Sequence, residues 1–467
     1  MSNVLEPDRA TRQLWAKEIF SFLDDFVDGL EHAPASNATD PDLFSALATG
    51  PGEGPADLPG LIERLSGAVR NGAVETAGPG YFAYFPAGGL YSSVLGEALA
   101  QLVNRFTGVY DMAPGMVAVE QSVISWFCRE FGLASDQSTP GGLLTSGASM
   151  ATLTALHTAR EHLLDSPGGP GTIYVTEQTH HCVAKAARIT GFGADQIRTV
   201  AVDSDLRMDV ADAMATIRTD RAMGKRPFLI VGTAGSTSTG TVDPLDDIAR
   251  LAASEGLWFH ADGAYGGGFW LTERGRAALS GIERADSLTL DPHKSLFLPY
   301  GTGLLLVRDE ARLRAAHTAE ADYLQDLAAS DELADFSDLG PELTRDSRGL
   351  RLWLPLHLHG VAAFREALDE KIDLARWAYA ELANDDEIEL VLRPDLTVLV
   401  FRSPHGEEAS RQMLRRINAE RRVFLSSTRV AGEFALRMCV LSHRTHREHV
   451  ERAVAGIRRA AKRCGQQ

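Results

Sequence analysis

Apolar positions between about residues 140 and 310 alternate between short buried runs and helical patterns. The strand-like runs are GGLLTSG, GTIYVTEQ, RPFLIVGTAG, GLWFHADGAY, ADSLTLD and GTGLLLVRD. The intervening segments ATLTALHTAREHLL and DPLDDIARLAASEG have helical spacing. Such alternation predicts an α/β fold, in which a largely parallel sheet has helices on both faces. In that architecture ligands bind at the carboxyl ends of the strands.

The pattern changes toward both ends of the chain. Near the N-terminus, apolar residues at helical spacing predict a helix through Trp15, Ile19, Phe22, Phe26 and Leu30. After about residue 360 a long helical pattern leads into TVLVFRS, another helix, FALRMCVLSHR and a basic last helix, which predicts a smaller α+β domain. We therefore divide the chain into an N-terminal helical segment (1–85), a large domain (86–360) and a C-terminal small domain (361–467).

Composition and charge exclude several classes of protein. The 467 residues carry a formal net charge of −17, which argues against nucleic-acid binding because phosphate backbones require a basic surface. No stretch approaches the roughly 20 apolar residues of a membrane span, and the N-terminus lacks the apolar run of a signal peptide. Four cysteines in so long a chain fit a reducing compartment, so we expect a cytoplasmic protein.

Two polar side chains follow runs that are predicted to be buried strands. Lys294, in SLTLDPHKSLFLPYGTG, is either a surface lysine or an amine that desolvation makes available to attack an aldehyde. Asp262, in GLWFHADGAYGGG, is either an ordinary turn carboxylate or the partner of a protonated pyridine nitrogen. The small Ala264 allows a flat ring to lie close. His293 is a candidate to bind a phosphate or a substrate carboxylate.

Two further motifs also follow predicted strands. LLTSGASMATLTAL places Gly147, Ala148 and Ser149 where backbone N–H groups and a helix dipole receive a phosphate, although an ordinary βα turn has the same composition. His180, in YVTEQTHHCVAKAA, has a flat imidazole that is suited to stack on a pyridine ring. Neighbouring residues on an extended segment point to opposite faces, so His180 and His181 are not expected to share a metal, and we predict no metal site.

Taken in order, these motifs resemble the group II pyridoxal-dependent decarboxylases, the family of aromatic-L-amino-acid decarboxylase. YFAYFPAGG is similar to that family's substrate-side motif, SGASMATLTAL to its phosphate turn, TEQTHH to its ring-stacking histidine, HADGAYGG to its pyridine-nitrogen partner and DPHK to its Schiff-base lysine. The resemblance covers most of the chain and extends to SRGLRLWLPL and FALRMCVLSHRT.

The resemblance implies pyridoxal 5'-phosphate (PLP) as cofactor, an amino acid as substrate, and fold type I with a seven-stranded sheet. It also implies an obligate homodimer with active sites between subunits, in which residues 1–85 serve dimerisation. By the same resemblance, Ser236 and Thr237 of GSTSTG lie near the cofactor.

The chain departs from the family pattern at two informative positions. Asp291 stands where the family often has an asparagine that contacts the phosphate, and a carboxylate there would be repelled by a phosphate dianion. Phe336, in DFSDLG, stands where aromatic amino-acid decarboxylases have a loop tyrosine whose hydroxyl protonates the substrate carbon after CO2 leaves. Relatives with phenylalanine there react with O2 and release ammonia and an aldehyde. In a displaced alignment Tyr323 would serve instead.

We therefore predict a PLP-dependent decarboxylase acting on an L-amino acid with a bulky or aromatic side chain, giving an amine or, by oxidative deamination, an aldehyde. Transamination and β-elimination (C–S lyase chemistry) on the same scaffold remain alternatives, because a fold does not determine the reaction. A catalytically inactive binding dimer is a third possibility, against which Lys294, Asp262 and His180 argue. A dinucleotide-dependent oxidoreductase is disfavoured, since no G-x-G-x-x-G follows a predicted strand.

Overall fold

The computed structural model describes residues 5–37, 45, 47–48, 50–71, 74–134, 138–164, 169–318 and 335–464. The α-helices are α1 (Arg9–Gly29), α2 (Leu58–Asn71), α3 (Tyr91–Val103), α4 (Pro114–Glu130), α5 (Ala148–Leu163), α6 (Cys182–Ile189), α7 (Val210–Ala222), α8 (Leu245–Glu255), α9 (Glu273–Ala278), α10 (Pro292–Ser295), α11 (Glu310–His317), α12 (Gly349–Leu382), α13 (Glu407–Ala419) and α14 (Arg447–Cys464). The strands are β1 (Gly141–Thr145), β2 (Gly171–Thr176), β3 (Ile197–Val200), β4 (Arg226–Thr233), β5 (Trp258–Gly263), β6 (Ser287–Leu290), β7 (Gly303–Val307), β8 (Glu389–Leu392), β9 (Val398–Arg402), β10 (Ser426–Val430) and β11 (Glu433–Cys439).

Strands β1 to β7 form the central sheet, in the order β1-β7-β6-β5-β4-β2-β3. Strand β7 is antiparallel to both neighbours, and the other pairs are parallel, which confirms the mainly parallel seven-stranded sheet. All residues of β1, β2, β5, β6 and β7 are buried, as their continuous apolar runs predict. The sequence pattern missed β3, because this four-residue edge strand is half-exposed and therefore lacks a continuous apolar run.

Strands β8 to β11 form a second sheet, in the order β10-β11-β9-β8, and all of its pairs are antiparallel. Helices α13 and α14 cover this sheet, and a separate hydrophobic core lies between them. This arrangement confirms the smaller α+β unit that the C-terminal pattern predicts.

Helix α12 leads from the large sheet to the small one and contains a break at Gly360, whose φ of 73° and ψ of 153° are not helical. Glycine tolerates this positive φ without the strain that a side chain causes. The predicted N-terminal helix is confirmed as α1, yet none of its 21 residues is buried in the single chain. Among the described residues, no helix combines the length and the apolar composition needed to cross a bilayer.

Candidate active site

A cavity of about 330 Å³ lies at the carboxyl ends of the central strands. Strands β1, β4, β5 and β6 end at its wall, which is the position where open α/β sheets bind their ligands. Its lining residues are Ser146, Gly147, Ala148, Ser149, Met150, His180, Cys182, Thr233, Gly235, Thr237, Asp262, Ala264, Tyr265, Asp291, His293, Lys294 and Gly301. The structure therefore brings together motifs that are far apart in the sequence.

One wall of the cavity is the turn between β1 and α5. Gly147 caps α5 with a φ of 155° and has no side chain with which to cap the helix, and Gly147, Ala148 and Ser149 all line the cavity. A Cβ at Gly147 would lie 3.8 Å from His293 Cε1 and 3.9 Å from Asp291 Oδ1, so glycine keeps this space open. A helix N-terminus of this kind favours an anion through its N–H groups and its dipole.

Asp262 lines the cavity at the end of β5. Its neighbours in the sheet are Thr233 of β4 and Thr289 of β6, and the residue is 5% exposed. Asp262 Oδ1 accepts a hydrogen bond of 3.1 Å from the Ala264 N–H, which fixes the carboxylate after the strand ends. Ala264 itself lines the cavity.

Lys294 lies on the short helix α10, and its amine faces the same cavity. Lys294 Nζ is 2.9 Å from Asp291 Oδ2 and 5.1 Å from the centre of the Phe85 ring. The other oxygen of that carboxylate, Asp291 Oδ1, accepts a hydrogen bond of 2.7 Å from the Ala148 N–H at the start of α5. Asp291 therefore connects the lysine with the anion-binding turn.

The two cavity histidines have defined tautomers. His180 Nδ1 accepts a 3.3 Å hydrogen bond from the Cys182 N–H, so its Nε2 carries the proton of the neutral ring. His293 Nδ1 donates to the Thr302 carbonyl oxygen at 2.7 Å, so its Nε2 is the nitrogen that is free to accept a proton. Burial lowers the pKa of both rings, and His180 therefore remains neutral near pH 7.

The expectation that His180 and His181 point to opposite faces is wrong. The segment after β2 is a turn that leads into α6, and not an extended strand, so the two ring centres lie only 4.1 Å apart.

Two predicted site residues are not brought to the cavity of this chain. Ser236 is 1% exposed and turns inward, with its Oγ 2.7 Å from Thr239 Oγ1, whereas Thr237 lines the cavity. Phe336 is fully buried in the hydrophobic core, with its ring centre 4.6 Å from the Arg345 guanidinium carbon. The Ser337 N–H donates to the Gly108 carbonyl at 2.9 Å, which holds this segment against the large domain. The alternative Tyr323 lies outside the described residues.

The sequence motifs missed several lining residues. Thr233 ends β4 beside Asp262, and its buried Oγ1 has no hydrogen-bond partner among the described residues. Its position after an apolar strand was the available signal, the same one that identified Asp262. The ring centre of Tyr265 lies 4.3 Å from that of Phe85. The two residues are 180 positions apart, so no local sequence pattern predicts this contact.

The donor set of this cavity fits PLP. The N-terminus of α5 suits the phosphate, the Asp262 carboxylate suits a pyridinium nitrogen, and the Lys294 amine suits an aldehyde, all within one cavity.

Comparison with known proteins gives the same result. The family model described as "Pyridoxal-dependent decarboxylase conserved domain" matches residues 52–403. The aromatic-L-amino-acid decarboxylase of Bacillus atrophaeus is 34% identical over 94% of this chain and 92% of its own length. The phenylacetaldehyde synthase of Arabidopsis thaliana is 26% identical over 96% of each chain. The structure of Oryza sativa TDC, solved with PLP and tryptamine, matches with a TM-score of 0.93 and 27% identity over 98% of this chain and 99% of the other.

These matches and the site define a PLP-dependent carboxy-lyase of fold type I. The chain belongs to the pyridoxal-dependent decarboxylase family, as its motifs indicate.

Proposed function

We propose that this chain decarboxylates an aromatic L-amino acid to the corresponding amine. The observation that carries the proposal is the single cavity in which the Lys294 amine, the Asp262 carboxylate, His180 and the N-terminus of α5 meet. Bound PLP supplies an electron sink for the negative charge that remains on the α-carbon when CO2 leaves. The protein's own groups bind, orient and exchange protons around that chemistry.

We assign the cofactor contacts as follows. The turn of Gly147, Ala148 and Ser149 would hold the phosphate, and Lys294 Nζ is the amine that would bond to the aldehyde. Asp262 keeps a proton on the pyridine nitrogen, because a carboxylate at the end of a buried strand stabilises the cation beside it.

Three further contacts follow from the same cavity. Ala264, Thr237 and His180 all line it. With PLP bound, Ala264 would leave room beside the flat ring, Thr237 would lie near the cofactor, and neutral His180 would stack on the ring. His293 Nε2 accepts or returns a proton, since its Nδ1 proton is engaged by Thr302.

An aromatic side chain fits the surroundings of the lysine. Phe85 and Tyr265 form a stacked pair beside Lys294 Nζ, and the Tyr300 ring centre lies 5.7 Å from that of His293. Stacked and edge-on contacts with such rings favour a substrate that carries an aromatic group. Relatives named for decarboxylation of aromatic amino acids support the same substrate class.

We propose a cytoplasmic homodimer with active sites at the subunit interface. Helix α1 is unburied in the single chain although it carries Trp15, Ile19 and Phe20, and an apolar face of this kind is typical of an interface. The four cysteines are free and buried, which fits a reducing compartment. In this proposal residues 1–85 serve dimerisation, 86–360 bind PLP and 361–467 form the small domain.

Oxidative deamination to an aldehyde is the second candidate reaction. It is supported by Phe336, which has no hydroxyl at the position of the family's loop tyrosine, and by the similarity to a phenylacetaldehyde synthase. The burial of Phe336 in the core of its own chain does not add support, because a group outside the cavity cannot donate or withhold a proton there. We therefore place amine formation first.

Product analysis tests the proposal and separates the alternatives. The purified chain with PLP is incubated with L-tryptophan, L-tyrosine, L-phenylalanine and L-glutamate, and CO2, amine, aldehyde, H2O2 and pyruvate are measured. We expect CO2 and amine in equal amounts from one or more aromatic substrates and none from the Lys294→Ala control. Aldehyde with H2O2 would establish the second candidate, and pyruvate without CO2 would contradict decarboxylation.

The Phe336→Tyr variant tests the loop argument directly. If Phe336 stays in the core, the variant keeps the wild-type product ratio and loses about 1–3 kcal/mol of unfolding free energy, since the new hydroxyl is buried. Phe336→Leu is the matched control for packing alone. A change of the product from aldehyde toward amine in the tyrosine variant would place residue 336 at the reacting carbon and overturn the core assignment.

A further inference from the structure

The Asp291 carboxylate accepts a hydrogen bond from a backbone amide of the turn to which we assign the cofactor phosphate. Asp291 is 3% exposed, and its Oδ1 accepts the Ala148 N–H at 2.7 Å, at the N-terminus of a 16-residue helix. That N–H belongs to the turn whose geometry fits the phosphate. An asparagine at this position would offer N–H donors to a phosphate, whereas an ionised aspartate offers only acceptors.

The groups that face Asp291 do not remove this conflict. On its own segment, Lys294 Nζ lies 2.9 Å from Oδ2, and His293 Nδ1 lies 3.7 Å from Oδ1. On other segments that line the cavity, Asp262, His180 and Cys182 are close enough to act electrostatically on the same groups. Burial lowers the pKa of both histidines and raises the pKa of the Cys182 thiol to about 12, so these three groups are neutral near pH 7.

Among the described residues of this chain that line the cavity, the other charge-bearing side chains are the Lys294 amine and the Asp262 and Asp291 carboxylates. A phosphate dianion would add two negative charges beside a carboxylate that already holds one of its N–H donors. In a buried cavity, like charges at contact distance are unfavourable, and uptake of one proton by the carboxylate–phosphate pair relieves the repulsion.

We propose that Asp291 and the cofactor phosphate share one proton when the cofactor binds, so that capture of the cofactor is linked to pH. The shared proton forms a hydrogen bond between the Asp291 carboxyl group and a phosphate oxygen, and the Ala148 N–H is released to the same phosphate. The shared proton also weakens the ion pair between Asp291 and Lys294, which frees the amine for the cofactor aldehyde. The inference rests on the PLP site and is independent of which amino acid is the substrate.

The test uses pyridoxine 5'-phosphate, which lacks the aldehyde and therefore binds without reacting with Lys294. Its Kd for the cofactor-free chain is measured by calorimetry from about pH 7 to about pH 9, where the phosphate is almost fully dianionic. If one proton is taken up on binding, the Kd of the wild type rises with pH. For each pH unit, this rise is about tenfold larger than any rise in the Kd of Asp291→Asn. At the upper end of the range, Asp291→Asn should bind at least about tenfold more tightly than the wild type. Equal pH slopes in the two proteins overturn the proposal.

A second measurement needs no variant and therefore holds even if Asp291→Asn does not fold. Binding heats for the wild-type chain are compared in two buffers of different ionisation enthalpy, with pyridoxine 5'-phosphate and with pyridoxine, which has the same titrating ring but no phosphate. The proposal requires about one more proton to be taken up with the phosphate ester near pH 8. No difference between the two ligands overturns it. Binding rather than catalysis is measured, so a failure here leaves the proposed decarboxylation untouched.

Discussion

The buried ion pair between Glu120 and Arg345 holds the strand end that leads into the phosphate turn. Both side chains are 1% exposed, and Arg345 Nη2 lies 2.7 Å from Glu120 Oε1. The same carboxylate oxygen accepts the Leu144 N–H at 3.2 Å, and Arg345 donates to the Leu144 carbonyl at 2.8 Å. Leu144 is the second-to-last residue of β1, so loss of the pair disturbs the anion-binding turn as well as the core.

We predict that Glu120→Ala lowers the free energy of unfolding by about 3–5 kcal/mol, because it leaves the Arg345 guanidinium buried without a counter-ion. Arg345 Nε and Nη1 already have no hydrogen-bond partner among the described residues, so the remaining contacts cannot compensate. Glu120→Gln keeps the shape and a neutral acceptor, and it should cost about 1.5–3 kcal/mol. Against a typical total stability of about 5–15 kcal/mol, either loss is large.

Urea unfolding of the wild type and both variants, with and without saturating PLP, measures these differences. Glu451→Ala is the matched control, since its pair with Arg447 is about half exposed and should contribute no more than about 1 kcal/mol. The double variant Glu120→Leu/Arg345→Met removes both charges and should recover most of the lost stability. If Glu120→Ala is no less stable than Glu451→Ala, the reasoning about the buried pair is wrong.

Two further predictions concern pH and catalysis. Burial lowers the pKa of His443 to about 3 and that of His260 to about 4, whereas both titrate near 6.5 in the unfolded chain, so the unfolded state binds more protons below that pH. The contribution of these histidines to the free energy of unfolding is therefore fully present above about pH 6.5, and it falls with decreasing pH by up to about 1.4 kcal/mol per pH unit for each histidine. Urea unfolding of His443→Asn between about pH 7 and pH 5 should show a smaller loss of unfolding free energy per pH unit than the wild type. An unchanged slope would contradict this prediction. Asp262→Asn should lower kcat by about 10²–10³-fold, because the charge beside the ring nitrogen is lost. The lysine–cofactor bond, detected by its reduction, should persist. A kcat near that of the wild type with the cofactor intact would refute the assignment of Asp262.

Local sequence patterns were enough to predict the sheet, most of its strands and the functional side chains that follow the ends of those strands. Asp262, Lys294, His180 and the Gly147 turn were identified because each follows an apolar run, and parallel strands bring their carboxyl ends to one edge of a sheet. The hydrophobic pattern, taken with the polar residue that follows each apolar run, is sufficient to locate these side chains. It overlooked β3, whose four residues carry too little apolar signal.

Only the tertiary structure determined which residues from distant segments of the chain are in contact. Asp291 reaches an amide 143 positions away, and Arg345 pairs with a carboxylate 225 positions away, and neither contact has a local signature. Ser236 and Phe336 were assigned by resemblance, yet packing turns the first inward and buries the second beside Arg345. Side-chain direction in loops and long-range pairing depend on the packing of the whole core, and the local period of a sequence does not contain that information.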